Sequence, residues 1–235
     1  MRILCSVQQR PTSPDSSPVT LQVLDELSVS GLLLMPPAAR ACYVLAHSAG
    51  AGMQHPSMRA VAAGLANLGV ATLRYQFPYM ERGSRRPDPP PLCHATVRAA
   101  VAAAARLAPG LPLVAGGRSF GGRMTSQAQA IAPLDGVRGL AFLGFPLHPA
   151  GEPSDSRATH LADVSIPMLF LQGTRDALAE RALIEAVAAR LGTRATLAFI
   201  EEADHSFHVP KSSGRTDAQV LTGVLQRLAA WIDAL

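Results

Sequence analysis

From residue 42 onward the chain alternates between two kinds of segment. Short apolar runs of strand length stand at CYVLAHS (42–48), VATLRY (70–75), LPLVAGG (111–117), GLAFLGF (139–145), PMLFLQG (167–173) and TRATLAFIE (193–201). Between and after them lie stretches with helical spacing of apolar residues: 57–69, 93–110, 120–133, 178–192 and 216–235. An apolar run with few polar interruptions has no side suited to water, so it must be covered on both faces. Helices that follow most of these strands supply that cover, and they return the chain so that successive strands run parallel. The alternation therefore predicts an α/β fold: a mostly parallel sheet with helices on both faces.

The N-terminal part reads differently. VTLQVLDELSVSGLLLMP (19–36) has enough alternation for two strands with a turn at Asp25 and Glu26, an antiparallel edge to the sheet. Residues 1–18, rich in Gln, Pro, Ser and Asp, read as a loosely packed leader, and 19–235 as one domain without internal repeats. Two long loops are expected, at 76–92 with five prolines and at 146–166. Only about 20 residues separate Phe145 from Pro167, too few for a large helical lid.

Composition removes several classes. Hydrophobic residues make up 48% and charged residues 16%, which excludes a disordered chain. The net charge of +4 comes from scattered arginines, with Arg85–Arg86 the closest pair and Lys211 the only lysine, so no basic stripe for nucleic acid is expected. No apolar run reaches the ~18–20 residues that span a bilayer. The first residues lack the apolar core of a secretory signal, and a cytoplasmic protein is expected. Cys5, Cys42 and Cys93 form no CxxC pair, which argues against a disulfide framework or a zinc site. The glycines at 116–117 and 121–122 are not followed by the Gly-Lys-Ser/Thr of a phosphate loop, and no histidine pair has HxxxH spacing. Neither a cofactor nor a metal is expected.

The chemistry-bearing residues fall at the carboxyl ends of the strands, where ligands bind in sheets of this kind. Gly117-Arg118-Ser119-Phe120-Gly121 directly follows one strand and opens a helix, the strand–turn–helix context of a G-x-S-x-G nucleophile elbow. A serine hydroxyl is a weak nucleophile at neutral pH; it needs a base, and the base needs an acid to orient it. Asp176 lies just past PMLFLQG and His205 just past TRATLAFIE, in the order Ser, Asp, His. Asp204 is a second choice for the acid and His208 for the base. Ser48 also follows a strand, but without glycine two residues before it the turn would be crowded. The segment His47-Ser48-Ala49-Gly50-Ala51-Gly52 is better placed to supply the second oxyanion amide, from Ala49, beside the first, from Phe120. Tyr79, Met80 and His148 are candidates for the substrate wall; packing is the plainer reading of each.

The segments HSAGAGMQHPSM (47–58), LRYQFPYME (73–81), GGRSFGGRM (116–124), GFPLHPAG (144–151), LFLQGTRD (169–176) and ADHSF (203–207) resemble the α/β-hydrolase superfamily. Within it, the chain is similar to the dienelactone-hydrolase-like branch that includes a subunit of an animal histone-acetyltransferase complex and its testis-expressed relative. The resemblance extends over roughly residues 40–235. It implies a Ser119–Asp176–His205 triad and hydrolysis of an ester or related acyl substrate. Two departures stand out: His47-Ser48 replaces the usual His-Gly, and Ser119 stands where true dienelactone hydrolases usually carry cysteine. Two functions from different classes follow. One is a serine hydrolase acting on a small ester; the other is an interaction module that keeps the fold as a scaffold.

Overall fold

The computed structural model describes residues 16–235. Cys5 and most of the expected leader lie outside the described residues. The first strand begins within the remainder of that leader: β1 spans Ser17–Leu24. It pairs antiparallel with β2 (Leu27–Leu34), and the turn falls at Asp25 and Glu26 as the sequence predicts. Then β3 (Ala41–Ala46), β4 (Val70–Tyr75), β5 (Leu113–Arg118), β6 (Val137–Leu143), β7 (Met168–Gly173) and β8 (Ala195–Ile200) complete one eight-stranded sheet in the order β1-β2-β4-β3-β5-β6-β7-β8. β2 joins β4 antiparallel, and every pairing from β4 to β8 is parallel.

The strands are buried on both faces. In β3, Cys42, Val44 and Ala46 enter one core while Tyr43 and Leu45 enter the other. The first core lies under α3 (Pro90–Leu107), α4 (Phe120–Ile131) and α5 (Arg181–Leu191). The second lies under α1 (Pro56–Asn67) and α6 (Asp217–Asp233). This is the layered fold that the apolar runs require.

Three segments expected as loop contain helix. Pro78–Glu81 forms a single turn, α2, and α3 begins at Pro90 rather than Cys93. In both, proline occupies the first helical turn, where its missing N–H costs nothing and its fixed φ suits the helix. Residues 156–163 form a 3₁₀ helix packed on α4, and the interval between β6 and β7 holds nothing larger. The helix expected from residue 178 starts at Arg181. Among the described residues no helix is long and apolar enough to cross a membrane.

The strand order positions the site. After β3 the chain crosses by α1 to β4 on one side; after β5 it crosses by α4 to β6 on the other. The loops leaving β3 and β5 therefore part, and a crevice opens between them at the carboxyl ends of the strands. His47 and Ser119 stand at its two edges.

Candidate active site

Ser119 occupies the turn between β5 and α4 with φ 50° and ψ −117°. A non-glycine residue with positive φ is strained, and the surrounding packing must hold it there. Gly117 and Gly121 make that packing possible. A Cβ on Gly117 would lie 2.4 Å from the Ala46 carbonyl oxygen, and one on Gly121 would lie 2.6 Å from that of His47. Both glycines thus let the elbow press against the end of β3, which brings the serine beside the loop at 47–52.

Ser119 Oγ lies 2.8 Å from His205 Nε2, and His205 Nδ1 lies 2.7 Å from Asp176 Oδ2. Because an ionised carboxylate only accepts, Nδ1–H donates to Asp176 and Nε2 is left to accept the serine proton. The Asp176 side chain is fully buried, whereas that of His205 is 21% exposed, so the imidazole borders both the interior and the crevice. Asp176 is held in turn. Its Oδ1 accepts from the Leu178 amide at 2.8 Å, and its Oδ2 also accepts from Gln172 Nε2 at 2.5 Å. Gln172 is fixed from the far side by the Phe145 amide, which donates to its Oε1 at 2.9 Å.

The alternatives are engaged elsewhere. Asp204 Oδ1 accepts from the amides of Ser206 and His208, so this carboxylate caps the loop that carries His205. His208 Nδ1 pairs with Asp217 at the start of α6, 2.9 Å away. Arg118 spans from the elbow to the same loop and donates to the Ser206 carbonyl at 2.9 Å. Ser48 makes a short bridge to Ala51 within its own turn.

The amides of Ala49 and Phe120 donate to no acceptor among the described residues. Phe120 stacks edge-on against Phe77 and Tyr79, with centroids 5.5 and 6.3 Å apart. Tyr79 is buried, and its hydroxyl donates to the Ala49 carbonyl at 2.8 Å. Met80 is half-buried and packs against the core under α3 and α4. His148 is 1% exposed; its Nδ1 lies 2.8 Å from the Pro149 carbonyl, and its Nε2 faces the Glu180 amide. Both ring nitrogens of His148 are thus taken up by backbone.

Sequence reasoning missed Gln172 and Arg118. For Gln172 a signal existed: a lone amide in the apolar run PMLFLQG, four residues before Asp176. Among the described residues no three His, Cys, Asp or Glu side chains converge in a way that could hold a metal ion. Cys42 and Cys93 are free thiols, both buried, and burial pushes each up to about 12, so neither is a reactive thiolate.

Residues 39–233 match a family described as an alpha/beta hydrolase domain. Among solved structures, a dienelactone hydrolase from Anabaena variabilis superposes with a TM-score of 0.76 at 24% identity, covering 95% of this chain and 99% of that one. A lid-less α/β serine hydrolase from Xanthomonas campestris gives 0.68 at 20%, covering 91% and 95%. Est1E from Butyrivibrio proteoclasticus gives 0.70 at 16%, covering 93% and 99%. These structural likenesses concern the fold. The sequence match takes in everything from β3 to the end of α6, including both sides of the crevice, and on that ground the chain belongs to the α/β-hydrolase family.

Proposed function

We propose that this protein is a serine hydrolase that cleaves a small ester or related acyl substrate through an acyl-enzyme. The observation that carries the reading is the unbroken relay Ser119–His205–Asp176, at 2.8 and 2.7 Å. His205 Nε2 takes the Ser119 proton as Oγ bonds to the substrate carbonyl carbon, and the carbonyl π pair moves onto its oxygen. The amides of Ala49 and Phe120 receive that oxyanion; one such donor is worth roughly 10²–10³ in kcat. Asp176 keeps the imidazole in the right tautomer and offsets its charge. The imidazolium then protonates the leaving alcohol as the acyl–oxygen bond breaks. Water, deprotonated by the same His205, releases the acid and restores Ser119.

The reading of the substrate as small rests on the crevice. The interval between β6 and β7 forms only a 3₁₀ helix, and the Xanthomonas structure described as lid-less shares the architecture. Within the family we assign the chain to the dienelactone-hydrolase-like branch that includes the animal histone-acetyltransferase-complex subunit, with serine as its nucleophile. A panel of p-nitrophenyl esters of increasing acyl length tests the proposal. Turnover should be greatest for short chains and should vanish in Ser119→Ala. A folded protein inert to every member of the panel would instead favour a scaffold that keeps the fold without the chemistry.

A further inference from the structure

Arg118 is the last residue of β5 and stands immediately before Ser119; Ser206 stands immediately after His205. Arg118 Nη2 donates to the Ser206 carbonyl at 2.9 Å, and Ser119 Oγ lies 2.8 Å from His205 Nε2. Two bonds of nearly equal length thus join the elbow to the histidine loop through consecutive residues. One belongs to the reacting atoms, the other to their chain neighbours.

The loop that Arg118 grips is closed on itself. The Asp204 amide donates to the His208 carbonyl at 2.9 Å, and the Phe207 amide donates to the Asp204 carbonyl at 3.0 Å. Asp204 Oδ1 takes the amides of Ser206 and His208. Phe207 has φ 62°, a left-handed conformation that the surroundings must hold. The peptide between Ser206 and Phe207 is therefore fixed at both ends, its N–H by Asp204 and its C=O by Arg118. A loop closed in this way moves as one piece, so the bond at the Ser206 carbonyl also places the His205 ring. Beneath the ring there is no slack: a Cβ on Gly144 would lie 3.3 Å from both Cε1 and Nδ1 of His205. Arg118 is half-buried, with the Asp204 carboxylate as its neighbouring counter-charge.

The two bonds part company during turnover. Once Ser119 is acylated, its Oγ is an ester oxygen without a proton, and the bare Nε2 of His205 has nothing there to accept. Asp176 still holds Nδ1, but among the described residues only the Arg118–Ser206 bond then links the elbow to the loop. We infer that Arg118 is a positioning residue for deacylation, which holds His205 beside the acyl-enzyme through its bond to the Ser206 carbonyl. The role rests on the hydrolase reading. In this step His205 Nε2 removes a proton from water as the water oxygen bonds to the acyl carbon. The tetrahedral intermediate collapses, the bond between the acyl carbon and Ser119 Oγ breaks, and the imidazolium returns the proton to Oγ. Arg118 exchanges no proton in either half of the cycle.

Arg118→Met keeps an apolar stem and removes the donor. Ser206 is exposed, so water can take up its carbonyl and the fold should survive. With p-nitrophenyl acetate, stopped-flow absorbance separates the two steps: p-nitrophenolate released in the first turnover reports acylation, and the decay of accumulated acyl-enzyme reports deacylation. Acylation should stay within about twofold of wild type, while deacylation falls about 10- to 100-fold. In that case kcat and KM drop together and kcat/KM is kept. The burst approaches one p-nitrophenolate per chain, and intact-mass spectrometry finds the acetyl adduct at steady state. Arg118→Lys, whose ammonium can donate to the same carbonyl, should fall between the two, so the ratio of the rates stays readable if the Met variant folds poorly. Equal slowing of both steps, or an unchanged deacylation rate in a folded Met variant, would overturn the assignment. A wild type that releases no p-nitrophenolate and gains no acetyl mass would remove the hydrolase reading, and this role with it.

Discussion

At the scale of single residues, what distinguishes Asp176 from Asp204 is what each carboxylate touches. Asp176 is buried against His205, Gln172 and the Leu178 amide. Asp204 spends its oxygen on two backbone amides of its own loop. Asp176→Asn should leave the protein folded and lower kcat by about 10⁴, because an amide can hold the wrong imidazole tautomer and cannot balance the imidazolium. Asp204→Asn should cost far less, and steady-state kinetics on the two purified variants separates them; the reverse order would mean the acid is Asp204. Gln172 acts one step further out. Gln172→Leu removes a donor to a buried carboxylate and strands the Phe145 amide, so urea unfolding should show a loss of about 1–3 kcal/mol. An unchanged midpoint would show that the network does not support the fold.

At the scale of elements, the loop between β8 and α6 presents His205 and is tied to its surroundings at several points. One is the His208–Asp217 pair, in which Asp217 also accepts from the Val209 amide at 3.1 Å. The hydrogen bond to Asp217 raises the His208 pKa above its ordinary 6.5, and the same bond lowers that of Asp217 below 3.8. The contribution from His208 is complete below pH 6.5 and is lost as pH rises through its raised value. The contribution from Asp217 is complete above 3.8 and is lost as pH falls through its lowered value. The difference in Tm between wild type and His208→Gln should therefore be greatest between these two values and shrink on either side. A difference independent of pH would refute the ion pair. The six parallel strands and their order along the chain were legible, since strands buried on both faces show as short apolar runs. Helix α2 and the start of α3 were not, because proline-rich sequence reads as loop although proline is at home in a first helical turn. That Ser119, Asp176 and His205 would meet was legible from their places after strands. Gln172 was not, because its importance lies in which groups it meets, Asp176 and the Phe145 amide, and that is decided by tertiary packing.

At the scale of the whole molecule, the switch in strand order between β3 and β5 draws the elbow, the 47–52 turn and the histidine loop to one crevice. The same arrangement buries His47 beyond the end of β3, and this has a cost in acid. With a pKa of about 4 when folded against 6.5 ordinarily, His47 takes up its proton more readily in the unfolded chain. Stability should fall as pH drops from 6.5 toward 4, by about 3 kcal/mol from this group alone. Denaturant titrations at a series of pH values should show a shallower slope over that range in His47→Gln; an identical slope would mean that other groups govern acid unfolding. The central claim is that Ser119 is an activated nucleophile, and the most direct measurement is covalent. An activated serine attacks the phosphorus of a fluorophosphonate as it would a carbonyl carbon, with loss of fluoride. Intact-mass and peptide mass spectrometry should then find one adduct per chain, located on Ser119, absent from Ser119→Ala and much slower to form in His205→Gln. A folded wild-type protein that stays unmodified while a control serine hydrolase in the same tube is labelled, or an adduct on any other residue, would contradict the account.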